Sequence, residues 1–528
     1  IYDVGIDVIE DLGLRRSFCP EHRRCAAAAV LFWFAGVSPS HPFAYDEADY
    51  MYAATRGIWN NWWDRPSISF AEFVSKGLGL ARNPGLRSNF SQYIRSTGDI
   101  TFYRHFHGPL YSQWVGVWHA LGVRTEAGYR RTGLVLHLLT ALVIYFGFRA
   151  AFPSLPTAGA FVAAAAFLTN RTALVTSLAI TQHTLFIFLA VATLFLASRF
   201  CRDLAPRYWY GAMACLALAF ATVETSVLVL AALALTLAAL GARLRAQWPP
   251  RELVRLLLKG VGVFAAVLVA AWPASLLKLS FLKGYLYLAY MTLRRKTFVP
   301  TGPEELWAAK LRTAPLEFVL PALAVAATLI FWRKLPHRRE LAPFLAYTGI
   351  FLVTTFVITL SYTHYHGSLM AALAVLTGVW FGEMWRRTGT LARVTALGLV
   401  LAVLGGMAHG HYLEARANQM RAPVSTQVLE YLQSRPENLQ NVWLIPFTLV
   451  PILHFYHPET RFIGYDTDRA AEDLAAEAMR TGSSAQILCE VRGCAALEAA
   501  LKEYGQVGRI RIARGWDGEI HLLRVERR

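Results

Sequence analysis

The chain has 528 residues, 55% of them hydrophobic and only 16% charged, whereas soluble domains run near about 45–50% apolar and about 25% charged. Its net charge of +17 would point to nucleic acid in a soluble protein. Here most Lys and Arg lie in short loops between apolar runs, where they act as topology signals, so a soluble nucleic-acid-binding domain is excluded and a polytopic membrane protein is expected.

Residues 1–25 are too polar for a cleavable signal and lack a small-residue cleavage site after a short apolar core. They are expected to form a cytoplasmic segment, with the first span as its own insertion signal. Apolar runs place spans at 26–40, 109–123, 132–151, 157–169, 172–181, 183–199, 208–221, 223–241, 260–280, 313–332, 341–360, 367–385 and 392–409. That is about 13 spans, of which 157–169 and 172–181 are short for a crossing of about 20 residues. With the N-terminus inside, the basic segments "RTEAGYRR", "NR", "RFCRDLAPR", "RLRAQWPPRELVRLLLK", "RKLPHRRE" and "RRTGTLAR" all fall on the inner side, as the positive-inside rule demands. Residues 41–108, 281–312, 361–367 and the chain after about 410 then lie outside.

The first outer loop opens with "HPFAYDEADY", which sets Asp46, Glu47 and Asp49 within four positions. Each acid could be a solvated loop carboxylate or a cap for the helix that follows. Clustered beside an apolar wall, one of them becomes a candidate general base, and together they offer oxygen ligands to a divalent cation. The loop closes in "DITFYRHFHGPLYSQW", with Arg104, His105, His107 and Tyr111, and Pro109 opening a helix where its missing N–H costs nothing. Alone, that stretch reads as an interfacial belt of His and Tyr.

Three more outer knots follow. Glu224 lies in the turn between two spans, either solvated or functional, since carboxylates near the membrane interior are costly. "YMTLRRKTF" supplies Arg294, Arg295 and Lys296, suited to a phosphate or to anionic headgroups. "TLSYTHYHGSLMAAL" carries His364 and His366, a substrate rim or an aromatic belt.

After about residue 410 the apolar runs shorten and charges return. "STQVLEYLQSR" and "DRAAEDLAAEAMRTG" read as helices, and "NVWLIPF", "TRFIGYD", "AQILCEV", "RIRIARG" and "EIHLLRV" as strands. Residues 411–528 are therefore expected to form a small extracytoplasmic α/β domain after a transmembrane domain at 26–410. No Gly-rich phosphate loop and no internal repeat are evident. Cys489 and Cys494 could pair in an oxidising compartment or be two unrelated thiols; they are too few for a zinc site.

Asp46-Glu47 just after the first span and "HGPLY" at 107–111 resemble motifs of the GT-C superfamily of polyprenyl-phosphate-sugar glycosyltransferases, in particular the protein O-mannosyltransferase and lipid A aminoarabinose transferase branch. The resemblance covers roughly residues 26–385. It implies a GT-C-like bundle of about 13 transmembrane helices with a C-terminal α/β domain. It also implies an inverting transfer from a polyprenyl-phosphate-linked sugar to a lipid, glycan or protein acceptor, at the periplasmic face of a bacterial inner membrane. Asp46 matches the first family acid and is the first choice of base, with Glu47 second. Arg104, His105, His107, Tyr111, Glu224, Arg294, Arg295, Lys296, His364 and His366 would line the substrate site. A divalent cation is the one candidate cofactor, with no metal ligands assigned. Two positions depart from the pattern: Gln182, with His183 beside it, stands where the family often has Asp, and Val223 where it often has Lys. A transporter or flippase, or a non-catalytic scaffold with a degenerate site, is the alternative. A transporter would place polar breaks at mid-membrane, whereas the polar knots here sit at one surface.

Overall fold

The computed structural model describes residues 40–43, 46–55, 71, 74–75, 108–273, 308, 311–312, 315–331, 334–358, 363–419, 423–446, 449–465, 470–481, 484–515 and 518–527. The expected first span, 26–40, lies almost wholly outside them.

A short helix α1 (Asp46–Thr55) comes first, and α2 (Leu110–Ala120) begins just after Pro109. The bundle follows: α3 (Glu126–Ala151), α4 (Thr157–Leu168), α5 (Arg171–Leu178), α6 (Gln182–Asp203), α7 (Pro206–Phe220), α8 (Ser226–Gln247) and α9 (Pro250–Ala271). Then come α10 (Leu316–Ile330), α11 (Arg338–Ile358), a 3-10 turn (Thr363–His366), α12 (Gly367–Arg387) and α13 (Thr390–Gln419). Local chemistry fixes several starts. The Thr125 hydroxyl accepts the Gly128 N–H and caps α3, the Asn170 side chain accepts the Ala173 N–H and caps α5, and prolines open α7 and α9.

Among the described residues, six helices are long and apolar enough to cross a membrane: α3, α6, α8, α9, α12 and α13. α4 and α5, bent by 54° at their break, make up to a seventh as one broken span. At the bundle centre α12 is buried along nearly its whole length. It packs against α4 through facing glycines: a Cβ on Gly378 would sit 2.5 Å from the Gly159 carbonyl oxygen, a small-residue contact that lets two backbones touch. Leu258, Val261, Leu329, Ile330 and Leu399 are exposed, as lipid-facing residues should be.

Among the described residues, two features differ from the expected layout of 13 spans. α2 has 11 residues, roughly 16 Å at 1.5 Å per residue, too short for a hydrocarbon core of about 30 Å. α4 and α5, each short for a crossing, pass as a span only when taken together as one bent pair. Each change reverses the side of a loop. "RTEAGYRR" therefore does not lie opposite the first outer loop: Arg130 bonds Glu47, and Glu126 bonds the C-terminal domain. "NR", at 170–171, sits at the bend within a span rather than in a loop.

The C-terminal unit is an α/β domain with a five-stranded sheet in the order β2-β1-β3-β5-β4. Its strands are β1 (Trp443–Pro446), β2 (Phe462–Tyr465), β3 (Ser484–Glu490), β4 (Gly505–Gly515) and β5 (Gly518–Arg527). β1 runs parallel to β2 and β3, while β5 is antiparallel to β3 and β4. Helices α14 (Val424–Gln433), α15 (Val450–Tyr456), α16 (Ala471–Thr481) and α17 (Val491–Leu501) cover it. Cys489 and Cys494 are joined by a disulfide across the start of α17, with Cα atoms 5.4 Å apart. α15 and α17 are the elements that strand and helix periodicity did not suggest.

Candidate active site

Five segments meet at the end of the bundle that faces the C-terminal domain. The acidic helix α1 is the first. Ala48, Met51, Ala53 and Ala54 are buried and seat it against the bundle. The Glu47 carboxylate accepts two bonds from Arg130 of α3, Nε to Oε1 at 3.0 Å and Nη2 to Oε2 at 2.6 Å. It also accepts the Ile180 backbone N–H at 3.0 Å. Arg130 donates further to the carbonyls of His41 (2.7 Å) and Pro42 (3.2 Å), and its guanidinium lies 5.6 Å from the centre of the Phe43 ring. The side chains are 1% and 12% exposed, so this is a desolvated two-point pair, the strong geometry for Arg and carboxylate. The first outer loop, α3 and the α5–α6 junction are thereby tied at one point.

The "HGPLY" segment is the second. A Cβ on residue 108 would fall 2.0 Å from the Ala221 carbonyl oxygen, which accepts the Leu110 N–H at 3.1 Å; only glycine permits that approach. Tyr111 is buried, its ring edge-on to Tyr50 of α1 at 5.7 Å. The third segment, 179–183, carries Ile180, then Thr181, whose hydroxyl caps α6, then buried Gln182 and His183. The fourth is the turn 221–225 between α7 and α8, where Glu224 is buried three residues beyond the Ala221 carbonyl that holds Leu110. The fifth is the 3-10 turn. Tyr365 meets the His183 ring edge-on at 4.6 Å, and buried His366 lies 5.7 Å from Phe351.

The C-terminal domain closes over this end through α15. The Phe43 N–H donates to Tyr456 Oη at 2.9 Å, and the Tyr456 hydroxyl donates to Glu126 Oε1 at 3.0 Å. The Phe43 ring is boxed by Tyr129, Phe455 and Tyr456, and His454 stacks on Tyr52 of α1 at 5.6 Å. Burial pushes the Tyr456 phenol above its ordinary range, which keeps it a donor to Glu126. Burial likewise lowers His41, with the Arg130 charge acting in the same direction.

Of the candidate residues, the structure brings Glu47, Tyr111, Glu224 and His366 to this end of the bundle. Asp46 begins α1, but its side chain lies outside the described residues, as do the side chains of Asp49 and His364. Arg104, His105, His107, Arg294, Arg295 and Lys296 lie wholly outside them. Among the described residues no group of three His, Cys, Asp or Glu side chains is placed to hold a metal ion. Glu47 does not fit a cation ligand, since both of its oxygens face a guanidinium. Sequence reasoning missed Arg130, because the "RTEAGYRR" segment reads as an inner basic loop. It missed Tyr456 and His454 because α15 has only seven residues. The length of α2 was the available signal for the first: a helix that cannot cross leaves the next loop on the face it started from.

Comparison with known proteins agrees with this architecture. Residues 107–272 match the family described as dolichyl-phosphate-mannose-protein mannosyltransferase. The fold is similar to that of ArnT from Cupriavidus metallidurans in the apo state, with a TM-score of 0.60 at 14% identity, covering 94% of this chain and 96% of that one. It is also similar to the same protein bound to undecaprenyl phosphate, with a TM-score of 0.56 at 14% identity over 94% and 97% of the two chains. No curated protein matches the chain. The chain is thus an integral membrane protein by its apolar helices and shares its fold with these ArnT structures.

Proposed function

We propose that the chain is a membrane glycosyltransferase that moves a sugar from a polyprenyl phosphate to an acceptor hydroxyl, with inversion, at the face covered by the C-terminal domain. The observation that carries this reading is the convergence of five polar segments around the Glu47–Arg130 pair at one end of the bundle. The fold similarity to a protein whose structure holds undecaprenyl phosphate supports the donor class.

The acceptor oxygen attacks the anomeric carbon as the bond from that carbon to the phosphate oxygen breaks. The acceptor proton passes to a carboxylate, and the electron pair leaves on the phosphate monoester. Asp46 is the base in this reading. Glu47 has its oxygens committed to Arg130 and Ile180, so its part is to hold α1. Developing charge on the leaving phosphate needs cationic donors, and Arg294, Arg295, Lys296 and Arg104 are the candidates. Tyr111, His105, His107, Glu224, His364 and His366 shape the sugar and phosphate sites. A divalent cation, if one takes part, would use Asp46 and Asp49 rather than Glu47. The acceptor is a lipid, glycan or protein. The disulfide at Cys489–Cys494 suits an oxidising compartment and supports a periplasmic C-terminal domain in a bacterial inner membrane, with the N-terminus cytoplasmic.

The test is transfer of labelled sugar from a panel of polyprenyl-phosphate sugars in proteoliposomes. Wild-type transfer that vanishes in Asp46→Asn, with the variant folded and inserted, supports the reading. Transfer that survives Asp46→Asn moves the base elsewhere. Absence of transfer or hydrolysis with every donor in the panel would favour the scaffold alternative.

A further inference from the structure

The opposite end of the bundle holds a charged recess that the proposed reaction does not use. α6 starts at Gln182 beside the candidate site and ends at Asp203, and α8 starts at Ser226 beyond the Glu224 turn and ends at Gln247. Their far ends, with the turn that leads into α11, enclose a recess of about 470 Å³. Arg202, Arg243, Lys334, Arg338 and Arg339 line it, against one carboxylate, Glu340.

The five cations are not equivalent. Arg202 is fixed by Asp203, Nε to Oδ1 at 2.6 Å, and by the Ala150 carbonyl at 2.6 Å. Arg243 donates to the carbonyls of Cys201 and Arg202, which orient it without neutralising it. Lys334, Arg338 and Arg339 are exposed and have no ion-pair partner among the described residues. Glu340 is anchored through its backbone carbonyl, which accepts the Ser198 hydroxyl at 2.6 Å. Like charges drawn into one concavity repel unless an anion joins them. The first turn of α11 adds its unbonded N–H groups and the positive end of the helix dipole to the same spot. Arg forks suit the oxygens of a phosphate. α8, which contributes Arg243 to the recess, also presents apolar surface: Leu235, about two turns before Arg243, is 54% exposed.

We propose that this recess binds the phosphate of an anionic membrane lipid, with the headgroup among Lys334, Arg338 and Arg339 and the acyl chains along α8. The proposal is independent of the glycosyl-transfer reading. The full-length protein would be reconstituted in phosphatidylcholine vesicles doped with phosphatidylglycerol, and retained lipid counted by native mass spectrometry. Phosphatidylglycerol should be retained by the wild type and lost by at least about tenfold in Lys334→Gln/Arg338→Gln/Arg339→Gln. Arg251→Gln/Arg255→Gln, in a basic turn outside the recess, should retain it fully. Equal retention in the triple variant would overturn the proposal. Displacement of the lipid by inorganic phosphate would assign the recess to free phosphate and also overturn it. Because the triple variant removes topology signals, protease access to the C-terminal domain is read in the same vesicles. Should that variant insert wrongly, the wild type decides: phosphatidylglycerol retention that falls with salt while phosphatidylcholine is unaffected supports the proposal, and equal retention of the two lipids refutes it.

Discussion

Arg130→Ala is the most informative perturbation of the site. It removes two bonds to Glu47 and two to the carbonyls of His41 and Pro42, while the Ile180 N–H still bonds the carboxylate. Both side chains are largely desolvated, so solvent screening discounts little. Deleting one partner of a buried pair costs about 3–5 kcal/mol, because the survivor is an uncompensated charge. Glu47→Gln should cost a similar amount from the other side. Replacing both residues by Met should recover most of that stability, since neither charge then remains to be solvated. Arg130→Lys keeps the charge but not the fork, and should lose about 1–2 kcal/mol. Activity separates anchoring from stability. α1 carries Asp46, and a displacement of about 1 Å can cost on the order of a hundredfold in rate. The double Met variant should therefore fold well yet transfer sugar slowly, with kcat reduced far more than KM. Thermal unfolding in detergent and transfer in proteoliposomes measure the two. Wild-type melting temperatures in both Arg130→Ala and Glu47→Gln would refute the anchoring argument. So would full activity in the double Met variant.

The sidedness assigned to 124–131 is directly checkable: Arg124→Cys and Lys502→Cys should both react with an impermeant maleimide from the same side of the membrane, and labelling from opposite sides would restore α2 as a crossing. Gly108→Ala forces a Cβ into the Ala221 carbonyl and should destabilise by about 1–3 kcal/mol, seen as a lower melting temperature. Tyr456→Phe loses two hydrogen bonds, about 1–3 kcal/mol in total, and should loosen the C-terminal domain, read as faster proteolysis between 413 and 423. His41 is lowered by burial from its ordinary 6.5. The unfolded chain thus binds more protons near that pH, and the stability this His contributes is present above about 6.5 and lost as pH falls. His41→Gln should flatten that part of the pH–stability curve.

Hydropathy carried most of the bundle. The expected spans at 183–199, 367–385 and 392–409 fall within α6, α12 and α13, because about 20 apolar residues in lipid must satisfy their backbone as helix. The sheet strands were legible for a different reason, namely short β-branched runs between turn residues. Topology was harder. "GPLYSQWVGVWHALG" is apolar enough to pass for a span, but its helical length is too short for a crossing, and Arg130 and Glu126 beyond it bond groups at the face where it begins. The charge rule then misled, because Arg130 and Arg131 score as topology signals although Arg130 is a buried ligand of Glu47. A count of charges cannot distinguish an Arg that faces headgroups from one that faces a carboxylate 83 residues away.

That pairing also bears on why acids stand at the membrane edge at all. A chain with 16% charged residues gains nothing in stability from a buried ion pair that two well-packed apolar side chains could not supply. What the pair adds is direction. The two-point geometry fixes α1 relative to α3, and the third bond, from Ile180, fixes both relative to the broken element α4–α5. Tyr456 and His454 repeat the constraint from the opposite side, through Phe43 and Tyr52. α1 is thus held at both of its flanks by packed and hydrogen-bonded groups, and such rigidity is what an acid used as a base would require of its scaffold. The neighbouring carboxylates of "YDEADY" need not do the same work: Glu47 is bonded to Arg130 and Ile180, and in the proposed reaction base chemistry falls to Asp46 beside it.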